Sequence, residues 1–88
     1  MVKGITSSGF EYEVDERVTD DMELIDNIAE IETDGTKMSK VVLTVLGKEQ
    51  RKRLYDHVRT DDGFVSAQEV LKTIFEIIGK IEPDGKNS

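Results

Sequence analysis

The 88-residue chain has no cysteine, no tryptophan, one proline and one histidine. Without cysteine there is no disulfide framework and no thiolate metal site. His57 stands alone, so no second imidazole or thiol completes a nucleophile set or a metal set. No apolar run approaches membrane-spanning length, and the opening Met1-Val2-Lys3-Gly4-Ile5-Thr6 lacks the long apolar stretch of a signal peptide. The serines have no nucleophile elbow around them, and the glycines stand singly, without phosphate-cradling spacing. The resulting expectations are a soluble cytoplasmic protein, no enzyme, no cofactor, no metal and no membrane partner.

What is present is charge, and it is segregated. The net charge is -7; residues 1–34 hold eleven Asp/Glu against two Lys/Arg, residues 35–55 one against six, and residues 56–88 seven against four. Such segments simply face water, face each other within the fold, associate head to tail between copies, or form a charged partner surface. Nucleic acid is not expected, because the overall sign is wrong and the basic segment has a single aromatic, Tyr55. Eighty-eight residues suit one domain with a thin core.

The apolar pattern predicts a mainly α fold: a small four-helix domain over residues 19–81 with an N-terminal β-hairpin or extended segment over residues 1–18 (α+β if the hairpin is ordered). Phe10, Tyr12 and Val14 alternate with Glu11, Glu13 and Asp15, the period-two signature of a half-buried strand. Ser7-Ser8-Gly9 is the turn, and Val2 to Thr6 the partner strand. A lone hairpin is marginal in water, so it has to lie on the helices, pair with another copy or be partly disordered.

Thr19 to Glu32 is the first expected helix, with Asp20 as N-cap, Glu23 three residues on, and Met22, Ile25, Ile28, Ala29 and Ile31 facing inward. Met38, Val41, Val42, Val45 and Leu46 place a second helix over 37–46, although the β-branched run also suits a strand. Gly47 then breaks or kinks the chain, and a third helix covers 48–58. The fourth begins at Ser66, whose spacing to Glu69 makes a capping box. Ala67, Val70, Leu71, Ile74, Phe75, Ile78 and Ile81 form its apolar stripe. Pro83 ends it, and residues 82–88 read as a flexible tail.

The loop between the last two helices imitates a calcium loop. With Gly63 at the obligatory glycine, Asp62, Ser66 and Glu69 fall at acceptable EF-hand positions. Val58 and Thr60, however, stand where the leading oxygen ligands belong, and a hard dication needs six or more oxygens. Capping accounts for Ser66 and Glu69 without a metal. Phe64 and Val65 are apolar residues in this polar loop; they either plug the end of the core or contact a partner.

Leu46-Gly47-Lys48-Glu49-Gln50, Leu54-Tyr55-Asp56-His57-Val58-Arg59 and Asp61-Asp62-Gly63-Phe64-Val65-Ser66, with Asp20-Asp21-Met22-Glu23-Leu24 and Ile28-Ala29-Glu30-Ile31 before them, resemble the small tail assembly chaperones of long-tailed phages and prophages. The resemblance covers residues 19–81 and rests on soft patterns, not a catalytic signature. It implies a helical, non-catalytic protein of the host cytoplasm that binds the tape measure protein and assists the tail tube protein in assembling around it. It also implies a longer form made by ribosomal slippage, and Lys86-Asn87 suits an adenine-rich slip site. A holdase for an amphipathic helix needs an apolar groove, which Met22, Met38, Phe64 and Val65 can supply as partner-binding residues. The alternatives are a small structural virion or phage protein without chaperone role, and a degenerate EF-hand-like calcium module.

Overall fold

The alternation at Phe10, Tyr12 and Val14 produces the strand it predicts. The computed structural model describes residues 1–81, so the expected tail over 82–88 lies outside the described residues. Strand β1 (Val2–Ile5) pairs antiparallel with β2 (Glu11–Val14), Val2 opposite Val14 and Gly4 opposite Tyr12. The turn is closed by Thr6 N–H donating to the Phe10 carbonyl at 2.9 Å and by Gly9 N–H donating to the Thr6 carbonyl at 2.9 Å. Gly9 takes φ 93°, the left-handed residue that a three-residue hairpin loop requires. Phe10, Tyr12 and Val14 are buried while Glu11 and Glu13 face solvent. The hairpin is ordered and lies on the helices, as part of one core with them.

A 3-10 turn over Glu16–Asp20 follows, burying Val18. Helix α1 (Met22–Glu30) is capped by Asp21, not by the expected Asp20. Asp21 holds an extended backbone, and its carboxylate accepts from Glu23 N–H at 2.9 Å and Leu24 N–H at 3.1 Å. Asp20 is already used inside the 3-10 turn that tucks Val18 into the core. The expected inward face is also corrected. Leu24 is buried and Ile28 and Ile31 are partly buried behind it, at i, i+4 and i+7, whereas Met22, Ile25 and Ala29 point outward.

Among the described residues three α-helices are formed, not four. The segments expected as separate helices over 37–46 and 48–58 are one element, α2 (Thr36–Val58), bent at Gly47, where φ is 78° and ψ 172°. No loop intervenes, so helical turns resume at once beyond the glycine. The run Val41 to Leu46 is helix and not strand. The kink has a packing cause. At about 100° per residue, a straight helix would set the mean direction of Val41, Val42, Val45 and Leu46 about 190° from that of Leu54, Tyr55 and Val58. One uninterrupted helix cannot bury both sets in one core; a reorientation at Gly47 lets it.

Helix α3 (Ala67–Ile81) starts at Ser66, whose hydroxyl accepts from Glu69 N–H at 3.3 Å. It buries Val70, Thr73, Ile74 and Ile77. The stripe is rotated from expectation: Ala67 and Phe75 are exposed, and Ile77 takes the inward position. The Thr73 hydroxyl is satisfied by donating to the Glu69 carbonyl at 2.9 Å.

Side chains hold the hairpin to the helices along both edges. Gln50 of α2 behaves like a strand residue toward β2, accepting from Glu13 N–H at 2.7 Å and donating to the Glu13 carbonyl at 2.7 Å. Its amide also donates to the Leu46 carbonyl at 2.8 Å, beside the kink. Arg53 donates to the Glu11 carbonyl at 3.2 Å and lies over the Phe10 ring. On the other edge Lys80 of α3 donates to the Ile5 carbonyl at 2.7 Å. Glu76 accepts from Ser7 N–H at 2.6 Å and from the Ser7 hydroxyl at 3.0 Å.

That last contact is readable by acid titration. The Ser7 backbone N–H, then its hydroxyl and Lys80, hold the Glu76 carboxyl below its ordinary 4.5. A carboxyl lowered in the folded state lends stability above its ordinary value and loses that contribution as pH falls through the folded one. The Ser7 amide proton resonance is therefore expected to move upfield on acidification with a midpoint below 4.5. A midpoint at or above that value, or no shift at all, would mean that the turn is not latched to α3.

Candidate functional site

Helices α2 and α3 converge at the start of each, and there the apolar surface is not closed. A groove lies between them, lined by Gly35, Met38, Ser39, Val42, Tyr55, Val65, Ala67 and Val70. Its floor is core: Val42 and Val70 are buried. Its walls are the half-buried Met38 and Tyr55 of α2 and Val65 before α3. Ala67 keeps the α3 wall low, because a single methyl leaves room between the helices. The apolar lining and few polar atoms suit the side chains of a protein segment better than a polar small molecule.

Phe64 precedes the groove residue Val65 and is 61% exposed. It does not plug the core. The loop that carries it is tightly bonded. Thr60 N–H donates to the Phe64 carbonyl at 2.8 Å, Phe64 N–H donates to the Thr60 hydroxyl at 3.1 Å, and Gly63 N–H donates to the Thr60 carbonyl at 2.9 Å. The Thr60 hydroxyl donates to the Asp62 carboxylate, which lowers the Asp62 carboxyl from its ordinary value, helped by Phe64 N–H. Arg59 donates to the Gly63 carbonyl at 3.1 Å and pairs with Asp56 at 3.1 Å. Gly63 sits at φ 91°, the left-handed conformation the turn demands. A phenyl ring held out by a loop already ordered loses little backbone entropy on meeting a partner.

Of the four residues expected to bind a partner, Met38 and Val65 share this groove and Phe64 stands next to it in the loop. Met22 is 62% exposed on α1 and does not line it. Tyr55, Ser39, Ala67 and Val70 line the groove too, and the sequence does not mark them as partner-binding. Tyr55 and Val70 read there as ordinary core positions, and nothing in their spacing says that two helices part at that point.

His57 and Asp15 are engaged with the fold. The His57 ring lies 3.2 Å from the Ser8 hydroxyl and its centroid 5.6 Å from that of Phe10, pinning the hairpin turn to α2. The Asp15 carboxylate accepts from Arg17 through both side chain and backbone, and the Arg17 side chain foremost brings its pKa to about 2. Among the described residues no three His, Asp or Glu side chains are gathered to hold a metal ion. Among them, too, no helix is long and apolar enough to cross a membrane. Set against protein-family models, curated proteins and solved structures, the chain matches none.

Proposed function

We propose that this chain is a non-catalytic assembly chaperone of the phage or prophage tail type, which holds an amphipathic helical segment of the tape measure protein while tail tube subunits assemble around it. The observation that carries the reading is the apolar groove between α2 and α3, with Phe64, the residue before the groove's Val65, exposed on a bonded loop. An amphipathic helix buries two or three apolar side chains at i, i+3 or i+4 and i+7 when it lies in such a groove. Methionine at the wall suits a client whose apolar residues vary along its length, because its unbranched chain adapts to many shapes. The charged helix surfaces around the groove keep the chaperone soluble when the client leaves.

The test is titration of labelled amphipathic segments of the tape measure protein, followed by fluorescence anisotropy. Phe64→Asp is expected to weaken binding about tenfold or more, as for an aromatic anchor at an interface. Its thermal midpoint should stay within a degree or two of the parent, about what an exposed substitution gives. Failure of every segment to bind would sink the reading, as would finding the protein in stoichiometric amount in finished tails, which chaperones leave.

A further inference from the structure

Helix α3 keeps a second uncharged row beside the one it buries. Ala67, Leu71, Phe75 and Gly79 follow one another at four-residue steps, so they form a single ridge of the helix. Phe75 is 43% exposed, Ala67 and Gly79 are exposed, and Leu71 is half-buried. Ile78, beside the ridge, packs on the core cluster, whereas Leu71 and Phe75 lie outside it. A Cβ built on Gly79 meets nothing within 4 Å, so space is open there. On the solvent side of the ridge runs a parallel row, Gln68, Lys72, Glu76 and Lys80, which carries both signs of charge. Lys72 shares a cleft with Glu69 and Glu76 but makes no ion pair among the described residues, and Glu76 pairs with Lys80 at 3.4 Å.

We propose that this ridge binds the same ridge of a second copy of the chain, the two α3 helices lying antiparallel about a two-fold axis level with Thr73. The order of sizes along the ridge (small, large, large, small) reads the same in both directions, which a two-fold contact requires. Turned end for end, Leu71 meets the second copy's Phe75, Phe75 meets its Leu71, and Ala67 and Gly79 meet at the two ends. The flanking rows match as well. One residue along, Lys72 comes to the second copy's Glu76 and Gln68 to its Lys80, so no like charges meet. A partner helix of one sign would set its charges against Lys72 or against Glu76. Other exposed apolar side chains, such as Met22 and Ile25 on α1 or Leu43 on α2, lack this reciprocity. Docked on α3 of the next copy, they leave one ridge open in every assembly, and association runs on past two copies. A single helix pair buries less than the ~1,200 Å² of a standard interface, so the dimer is weak. Ala67 also lines the α2–α3 groove, but the contact does not depend on what that groove binds.

The test is sedimentation equilibrium of the full chain from about 10 μM to about 1 mM, the span in which a weak contact forms. The mass is expected to rise from 9.9 kDa toward twice that value and to stop there. Phe75→Asp, at an exposed position that leaves the core intact, should stay at 9.9 kDa throughout. Lys72→Glu, which sets a like-charged pair on each side of the axis, should weaken association about tenfold. The double variant Met22→Ser/Ile25→Ser should associate as the parent does. A parent that stays monomeric at the highest concentration overturns the proposal, as does a Phe75→Asp variant that associates like the parent. Growth past two copies, or association lost in the double variant, also overturns it, since the contact would then run through α1.

Discussion

Leu54→Ala is expected to lower the unfolding free energy by about 3 kcal/mol, within the range for a leucine deleted from a packed interior. Leu54 is fully buried and belongs to the cluster that joins the hairpin residues Phe10, Tyr12 and Val14 to Ile74 and Ile77 of α3. It sits on the second half of α2, past the kink, whereas the other buried residues of that helix, Val41, Val42, Val45 and Leu46, all precede it. Removing it leaves a cavity that the short hairpin and the bent helix cannot both move to fill. Against a typical domain stability of about 5–15 kcal/mol the loss is severe, and for a domain of this size it lowers the melting midpoint by about 15 °C. Urea unfolding should show the midpoint falling with its slope unchanged. Leu54→Met, which conserves volume, should cost less than about 1.5 kcal/mol. A shift for Leu54→Ala under about 1 kcal/mol would mean that this part of α2 is not packed as described.

Gly47→Val comes next, with an expected loss of about 3 kcal/mol for a different reason. A Cβ at position 47 meets no atom within 4 Å, so crowding by neighbours is not the cause. The cause is backbone: φ 78° with ψ 172° is accessible essentially to glycine alone and is worst for a β-branched residue. The chain cannot escape by straightening, because an unbroken helix would turn the Leu54–Val58 face away from the core that receives Val41 to Leu46. Gly79→Ala is the control. Gly79 lies inside α3 with open space around it and no positive φ, so alanine there should stabilise by about 0.5–1 kcal/mol. Thermal melts of the two variants should move in opposite directions; equal and small shifts would show that Gly47 does not need its glycine geometry.

The expected functional residues illustrate how far a linear reading reaches. Phe64 and Val65 are adjacent in sequence and alike in type, yet the fold separates them: Val65 packs against the core and Phe64 stands in solvent. Met38 and Val65 line one groove only because the fold brings the first turns of α2 beside the start of α3. Met22 shares their apolar character in sequence, but it is exposed on α1 and does not line the groove. The groove could not be found by periodicity, since its floor residues Val42 and Val70 obey the same spacing as any core residue.

Local chemistry settled much of this protein without the fold. The alternation of Phe10, Tyr12 and Val14, the turn at Gly9, the Ser66 cap with Glu69 and the break at Gly47 are written in residue types whose backbone preferences act over one to four positions. Tertiary packing decided the rest. Asp21 caps α1 because Val18 is drawn into the core and takes Asp20 into a 3-10 turn. Leu24, not Met22 or Ile25, faces inward because a nine-residue helix offers more apolar side chains than one face can bury, and the docking of α1 on α2 chooses among them. Two expected helices became one bent α2 because a single glycine can reorient the chain without a loop. Short-range sterics and hydrogen bonding are legible in sequence; the choice of which apolar surface is covered depends on residues far apart in the chain, and only their packing makes it.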